Sequence, residues 1–496
     1  MRLRLWSQRS KSTSLVQSEL VKGDRRQNVI PNGFHMFDLA FIGSGGSSPS
    51  RSRGAPCSIL DLGGENYMFD AGEGSLRQII GTPHSVLETS SIFITHMHAD
   101  HILGLPSLVL QVGSAQGVLN IYGPVGIYEF LATALNLAHA NLTRKVVVNE
   151  MIIDDEDYMR FKDKSNGKIS TPWTMQSMMN REGASSDVQP NKSINLHRRE
   201  IRSDGTGAWN LVQEEAISVN AKLIKHRIPC FGFVVRETDI AGKLDATKCD
   251  TLGVPADKRG VFKSGHDLVV KYKGEDGEEL ERLVKPEDVC GPPIPGRKLV
   301  VLGDTSDASN MGNVALDCDI LVHEATAGNE FHQTLVSRGH STPRMAAETA
   351  ISFNARRLII NHVGSQYLAL ASARGVAGLR IDTDLQREAR AALGRPQHCI
   401  VSRDFVTVSV PPGGYSRNNN KFNIRFPYVD LSTGATNIKG DCKVVTELPN
   451  SHQKGPHGYV CLGPDSKATP GSSNGRGNQQ RRGGDGPVAR RRNNNY

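Results

Sequence analysis

Hydrophobic and polar positions alternate along this chain in short blocks that predict strands and helices in turn. β-Branched and aromatic residues cluster in blocks typical of buried strands at 38–42, 58–62, 67–69, 91–94, 119–122, 216–223, 231–235, 298–302, 319–322 and 357–360. Apolar residues at helical spacing predict helices around 76–80, over 127–140 and over 343–354. Strands interleaved with helices in this way predict an α/β core.

The same pattern divides the chain into regions. Residues 1–36 form a basic extension, and the globular pattern runs over 37–412. Within it, residues 154–212 are polar with little periodicity, which predicts an insertion made mostly of loop or disordered chain. Residues 413–496 are a low-complexity tail rich in Gly, Asn and Arg. The arginines of this tail suit RNA binding of the RGG type, and a purely solvated tail is the alternative.

Composition narrows the classes of function. The 496 residues carry a formal net charge of +8 and a pI of about 9.0, which favours an anionic partner such as nucleic acid. The 8 cysteines include no Cys-x-x-Cys pair. This spacing argues against a zinc ribbon and a disulfide framework, and it favours a reducing compartment over secretion. No stretch is long and apolar enough to predict a membrane span.

The N-terminal segment leaves two compartments open. Its first acid is Glu19, and the preceding run of Arg, Ser and apolar residues is typical of a mitochondrial presequence. A disordered basic terminus explains the same composition equally well. Mitochondrion and nucleus or cytoplasm are therefore both compatible with the sequence.

The stretch Thr95–His101 carries the strongest chemical signal in the chain. It places three histidines and Asp100 on the loop that follows the strand predicted at 91–94. Imidazole and carboxylate together are the ligands that a divalent metal such as zinc prefers. Strand ends are also where α/β folds place their chemistry. The stretch therefore predicts a metal site.

Further metal-type residues follow other predicted strands. His226 lies between two strand patterns, and Asp304 and His362 each follow one. A lone histidine after a strand is more often structural. Together with Thr95–His101, however, these residues supply enough ligands for two metals that share a carboxylate. Two-metal sites suit phosphodiester cleavage because they activate water and neutralise developing negative charge.

Two more residues suit proton transfer. Glu324 ends a buried strand pattern, and His340 stands just before the helix predicted at 343–354. A glutamate that orients a histidine allows that histidine to protonate a leaving oxygen. The alternative is that Glu324 only pairs with a nearby cation.

These stretches resemble the short form of ribonuclease Z, the family of tRNA 3′-processing endonucleases within the metallo-β-lactamase superfamily. The matching segments stand in the family's order over residues 37–412, apart from the insertion: Phe41–Gly45, Phe69–Gly74, Phe93–His101, Gly104–Pro106, Tyr122–Pro124, His226, Phe231–Phe233, Gly303–Thr305, His323–Thr326, His340–Thr342 and Asn361–His362. The resemblance implies an α/β fold of the αββα type, with two mixed sheets flanked by helices.

The resemblance also assigns roles to residues. It implies seven ligands for two zinc ions, namely His96, His98 and His226 for one, Asp100, His101 and His362 for the other, and Asp304 as the bridge. Zinc is the implied metal, and manganese or another divalent ion suits similar ligands. Asp70 would fix a histidine ligand. Asp100 would orient or deprotonate the attacking water, and His340, steered by Glu324, would protonate the leaving oxygen.

The implied substrate is precursor tRNA, cut after the discriminator base to leave a 3′-hydroxyl on the tRNA and a 5′-phosphate on the trailer. Implied RNA contacts lie on a basic loop and on an arm-like basic segment at about 240–290: Arg51, Arg53, Lys258, Arg259 and Lys263. The family further implies a homodimer. Two alternatives are a phosphodiesterase of the same fold that acts on small cyclic nucleotides or other diesters, and an RNA-binding subunit with a dead site.

Overall fold

The computed structural model describes residues 36–157, 190–273, 277–373, 378–394 and 398–410, together with three short strand segments farther along the chain. The basic N-terminal extension, residues 158–189 of the predicted insertion and nearly all of the Gly/Asn/Arg-rich tail lie outside the described residues. The helices and strands that follow belong to the described part of the chain.

The strands, in chain order, are β1 (Asp38–Gly43), β2 (Gly45–Gly46), β3 (Cys57–Asp61), β4 (Asn66–Phe69), β5 (Thr89–Phe93), β6 (Val118–Pro124), β7 (Leu142–Ile152), β8 (Ile194–Arg202), β9 (Trp209–Gln213), β10 (Ile217–Ile224), β11 (Cys230–Glu237), β12 (Leu268–Lys273), β13 (Glu279–Val284), β14 (Lys298–Leu302), β15 (Ile320–Glu324), β16 (Leu358–Asn361), β17 (Val363–Gly364), β18 (Cys399–Val401), β19 (Thr407–Ser409), β20 (Asn423–Arg425), β21 (Gln453–Lys454) and β22 (Val460–Cys461).

The α-helices are α1 (Ser75–Ile80), α2 (Ala99–Ile102), α3 (Leu105–Val112), α4 (Ile127–Leu137), α5 (Ala246–Thr251), α6 (Pro286–Val289), α7 (Gly312–Ala315), α8 (His332–Ser337), α9 (Pro343–Ser352), α10 (Ser365–Ala373) and α11 (Gly378–Leu393). Short 3-10 segments cover Val86–Glu88, Ala256–Ser264, Ser309–Met311 and Asn329–Phe331. Helix α9 begins as its sequence predicts, because Thr342 accepts a hydrogen bond from the Met345 amide and Pro343 occupies the first turn.

Two large mixed sheets pack face to face. The first has the strand order β20-β19-β1-β3-β4-β5-β6-β7-β8, and the second has the order β18-β16-β15-β14-β11-β10-β9. Large aromatic side chains from both sheets fill the space between them, with Phe69 and Phe93 on one side and Trp209, Phe231 and Phe233 on the other. The ring centroids of Phe93 and Phe233 are 5.5 Å apart, so the two sheets share one buried core.

Helices cover both outer faces. Helices α1, α3 and α4 pack on the first sheet through buried residues such as Ile79, Leu108 and Leu131. Helices α9 and α11 pack on the second sheet through residues such as Ala346 and Leu385. The resulting order of layers is helix, sheet, sheet, helix, which confirms the predicted αββα sandwich.

The range 154–212, predicted to be mostly loop or disordered chain, also contains strand β8 and all of β9 except its last residue. Strand β8 is the edge of the first sheet and pairs only with β7. Most of its side chains from His197 onward are exposed, so it carries polar residues and lacks the apolar pattern of a central strand. The long strand β7, which precedes the insertion, was also not predicted.

Residues 244–290, which we call the side module, have a small hydrophobic core of their own. Val254, Phe262, Val270, Val284 and Val289 are buried together there. Strands β12 and β13 pair as an antiparallel hairpin within it. The predicted arm-like segment therefore contains a compact module.

Among the described helices, none has both the length and the apolar character that a membrane span requires.

Candidate metal centre

The predicted ligands converge at one edge of the sandwich, beyond the ends of four strands. The histidine stretch follows β5, His226 follows β10, Asp304 follows β14 and His362 follows β16. Their possible ligand atoms form two groups, each spanning no more than 4.8 Å: His96, His98, His226 and Asp304 in one, and Asp100, His101 and His362 in the other. A third, overlapping group of the same span joins Asp304 and His362 to His340. Residues more than 260 positions apart therefore share one small volume.

Asp304 lies between the two groups. Its Oδ2 atom is 3.7 Å from Nε2 of His96, on the first side. Its Oδ1 atom is 3.5 Å from Nε2 of His101 and 3.2 Å from Nε2 of His362, on the second side. Each carboxylate oxygen thus faces a different group, which is the arrangement that a carboxylate shared by two metals needs.

Hydrogen bonds outside the centre orient the histidine rings. Nδ1 of His226 lies 2.7 Å from the carbonyl oxygen of Gly339, and only a protonated nitrogen can donate there. Nδ1 of His101 lies 2.8 Å from Oδ2 of Asp70. In both rings the Nε2 atom is left to point into the centre, where it can bind a metal once it carries no proton.

Two threonines that were not among the predicted site residues hold two more of the rings. Oγ1 of Thr95 lies 3.0 Å from Nδ1 of His96, and Oγ1 of Thr326 lies 3.2 Å from Nδ1 of His362. Both threonines stand inside the motif stretches that carry the family resemblance. The sequence offered one signal for each: Thr95 directly precedes His96, and Thr326 stands two residues after Glu324. A threonine near such a residue is not diagnostic by itself.

The backbone is unusual at two of these residues. Asp70 and His362 both have φ of 58°, in the left-handed region that non-glycine residues seldom adopt. Asp70 is held there by bonds that it accepts from the amide and the hydroxyl of Thr95, at 2.8 and 3.0 Å. Gly46 lies so close to the His362 ring that a Cβ atom would be 2.5 Å from it. The packing therefore fixes the ring of His362 tightly.

The first group of histidines is electrically neutral. Burial lowers the pKa of His96 well below its ordinary value and lowers the pKa of His226. Burial also lowers the pKa of His98 to about 4. Neutral imidazoles keep a nitrogen lone pair, so these three rings are ready to bind a cation at neutral pH.

The second group stabilises positive charge. Burial acts to lower the pKa of His101, but the charges of Asp70 and Asp304 outweigh it and raise that pKa to about 9. Burial is likewise outweighed at His362, where Asp304 and Asp100 raise the pKa to about 10. A cation can replace these protons between the carboxylates. Imidazole nitrogens and carboxylate oxygens in this ratio fit zinc, as does the burial of five of the seven donors, while His98 and Asp100 are half-buried.

Glu324 and His340 form a pair at the rim of the centre. Nδ1 of His340 lies 3.0 Å from Oε1 of Glu324, and that oxygen also accepts a bond of 2.7 Å from the Thr305 amide. Burial opposes the protonation of His340, but the charge of Glu324 outweighs it and raises the pKa of the imidazole. The pair can therefore hold a proton for transfer. Nδ1 of His340 also lies 3.7 Å from Oδ2 of Asp304.

The predicted RNA contacts are not gathered at the centre. Arg51 is exposed on the loop before β3. Lys258 and Lys263 are exposed on the 3-10 segment of the side module, and Arg259 there pairs with Asp250. These positions belong to different elements.

The prediction that Arg53 contacts RNA is wrong. Its side chain is only 3% exposed, and it lies 2.6 Å from the carboxylate of Asp382 on α11. The same guanidinium donates to the hydroxyl of Ser44 and to the carbonyl of Ser402. A buried guanidinium with these partners serves the fold and is not presented to a ligand.

This chain is similar to known proteins. Residues 52–174 match the profile of the metallo-beta-lactamase superfamily. The chain is 33% identical over 388 residues to zinc phosphodiesterase ELAC protein 1 of Homo sapiens, covering 75% of this chain and 98% of that protein. It is 31% identical over 340 residues to ribonuclease Z of Streptococcus pneumoniae, covering 67% of this chain and 91% of that one. The crystal structure of the human short-form tRNase Z covers 76% of this chain and 100% of its own, at 24% identity and a TM-score of 0.48.

Proposed function

The chain belongs to the ribonuclease Z family of the metallo-β-lactamase superfamily, and we propose that it is a zinc-dependent endoribonuclease that removes the 3′ trailer of precursor tRNA. The observation that carries the proposal is the pair of donor groups on either side of Asp304. A mononuclear hydrolase has no need of a second group of donors, whereas phosphodiester cleavage gains from two cations.

The residues fit two zinc ions. His96, His98 and His226 would hold one ion, Asp100, His101 and His362 would hold the other, and Asp304 would bridge them. When bound, zinc supplies Lewis acidity, which acidifies a water molecule and neutralises charge on the phosphodiester. Asp100 accepts a bond of 2.7 Å from the Ser47 amide at Oδ2, the oxygen that lies 3.5 Å from Nε2 of His362. This bond holds the carboxylate at the centre, where it would orient the attacking water or take its proton.

His340 would act as the general acid. Its Nδ1 is held by Glu324, so Nε2 is the nitrogen that can deliver a proton. As the new oxygen–phosphorus bond forms, the bond between phosphorus and the 3′-oxygen of the tRNA breaks, and His340 protonates that oxygen. The products are a tRNA with a 3′-hydroxyl and a trailer with a 5′-phosphate.

Family membership also supports finer features of the proposal. We place the catalytic unit within residues 37–412 and expect it to work as a homodimer, as the resemblance implies. The exposed Arg51 and the side module's Lys258, Arg259 and Lys263 are the proposed basic contacts to RNA. Sedimentation of the full chain tests the dimer, and charge-neutralising variants at these positions should weaken tRNA binding more at low salt than at high salt.

A cleavage assay tests the activity. Purified full-length chain is incubated with a 3′-extended tRNA and, separately, with a small chromogenic phosphodiester. We expect one cut after the discriminator nucleotide, and we expect H98A to abolish it. Cleavage of the small diester without cleavage of the precursor would support the alternative phosphodiesterase. Unchanged precursor cleavage by H98A would refute the proposed ligand set.

A further inference from the structure

A cleft of about 430 Å³ opens beside the metal centre and shares His340 with it. One wall is formed by α8 and the 3-10 segment before it, and an adjoining wall is formed by α10. Arg227, which directly follows His226, lines a third side. This volume is typical of pockets that bind one small organic molecule, and it is large enough for one nucleotide.

Two aromatic rings form a corner in this cleft. The ring centroids of Phe331 and Tyr367 are 5.9 Å apart, and their planes meet at 80°. The Gly328 backbone hydrogen-bonds to the Tyr367 hydroxyl, which anchors that ring from behind. Leu370, which is 39% exposed, adds apolar surface beside them. Partly exposed aromatic faces at a fixed right angle suit a flat apolar ligand such as a nucleobase.

The charged side chains that line the cleft are basic, although carboxylates lie near it: burial, and after it the charges of Glu330, Glu388 and Asp384, raise the pKa of Tyr367 to about 12. Arg227 and Arg338 both line it and are exposed. No carboxylate is among the described residues that line it. Two guanidinium groups beside an aromatic corner match a nucleotide, because its base stacks on the rings while its phosphates face the arginines.

The shared residue fixes which nucleotide this is. His340 must reach the oxygen that leaves phosphorus, and in the proposed reaction that oxygen is the 3′-oxygen of the last nucleotide kept on the tRNA. A cleft walled by His340 therefore lies on the side of the leaving oxygen. The nucleotides of the trailer lie on the opposite side of the scissile phosphate.

We propose that this cleft binds the nucleotide immediately before the cut, with its base stacked in the corner of Phe331 and Tyr367 and its phosphate facing Arg227 and Arg338. This inference rests on the proposed function. The stacking corner would hold the last retained nucleotide while His340 protonates its 3′-oxygen. It would thus position the cut and tolerate any of the four bases, since each base has a flat face.

The test compares full-length wild type and F331A on two precursor tRNAs, one normal and one abasic at the nucleotide before the cut. We expect removal of the base to lower kcat/KM of the wild type roughly tenfold, and F331A to show the same loss on the normal precursor. F331A should lose almost nothing further on the abasic precursor. F331Y, which keeps the ring, should behave as the wild type does on both.

Two controls separate this inference from a general loss of function. L137A removes an apolar side chain that is 77% exposed on α4 and does not line the cleft, so it should leave both rates unchanged. The loss in kcat/KM caused by F331A should be the same whether or not the first trailer nucleotide is abasic. Equal losses by F331A on both precursors, or coupling to the trailer position instead, would overturn the inference while the proposed activity stands. Failure of the wild type to cut any precursor would overturn both.

Discussion

Nδ1 of His226 lies 2.7 Å from the carbonyl oxygen of Gly339, the residue that directly precedes His340. This bond links a proposed metal ligand to the proposed general acid through one peptide. Gly339 has φ of 76°, where residues with a side chain are strained, and a Cβ atom there would lie 2.8 Å from the same Nδ1. Glycine is therefore required at this position by both backbone conformation and space.

We predict that G339A displaces His226 and lowers zinc affinity roughly 10- to 100-fold, because the outer hydrogen bond of a metal-binding histidine is lost. Zinc content after dialysis and competition with a chelator measure this effect. G265A is the matched control, since Gly265 has φ of 75° but open space where its Cβ would lie. Equal zinc affinity in G339A and G265A would show that the contact with His226 does not matter.

Asp70 should act on the other donor group. Its Oδ2 accepts from Nδ1 of His101, so D70N can reverse the hydrogen bond and turn the ring's lone pair away from the centre. We expect D70N to lose zinc affinity about 10- to 100-fold and to lose cleavage with it. D61N offers a comparison, because Asp61 pairs with His84, outside the centre. Normal zinc binding by D70N would exclude this role for Asp70.

Zinc binding to the metal-free chain should release protons. At pH 7.5, His101 and His362 hold protons, because their pKa values are raised to about 9 and about 10. His96, His98 and His226 contribute none, because their pKa values are lowered. Entry of zinc therefore displaces about two protons per chain at this pH, and fewer as the pH rises through 9 to 10. Calorimetry in buffers of different ionisation enthalpy measures this number, and a binding enthalpy that is the same in every buffer would contradict the prediction.

The buried ion pair between Arg53 and Asp382 should contribute to the stability of the fold. R53M leaves Asp382 buried without one of its cations, which should lower the free energy of unfolding by about 3 kcal/mol. R51A, two residues earlier and exposed, should change it by no more than about 0.5 kcal/mol. Urea denaturation of both variants gives the comparison. A drop in tRNA affinity in R53M without any loss of stability would restore Arg53 as an RNA contact.

The strands that surround the centre could be predicted because their own residues determine them. Lys298–Leu302 is apolar throughout its interior and has the predicted bounds. Strand β8 could not be predicted in this way, because an edge strand with exposed side chains carries no apolar period. Its existence depends on pairing with β7, which is a property of the sheet and not of the segment.

The candidate ligands could be named from the sequence because they stand at strand ends in compact motifs. Buried contacts between distant segments were harder to predict. Arg53 and its partner Asp382 are 329 positions apart, so no local pattern distinguishes a buried ion pair from an exposed basic loop. The cleft could not be predicted from a local pattern either, because Arg227, Phe331 and Tyr367 come from three separate segments. Only the folded chain brings such residues into contact.

The most direct test of the central claim is a crystal structure of the zinc-loaded chain with anomalous diffraction recorded at the zinc absorption edge. We predict two peaks about 3.5–4 Å apart, one beside His96, His98 and His226, the other beside Asp100, His101 and His362, with Asp304 between them. A single peak, or two peaks that Asp304 does not join, in protein that still cleaves precursor tRNA, would refute the two-metal centre.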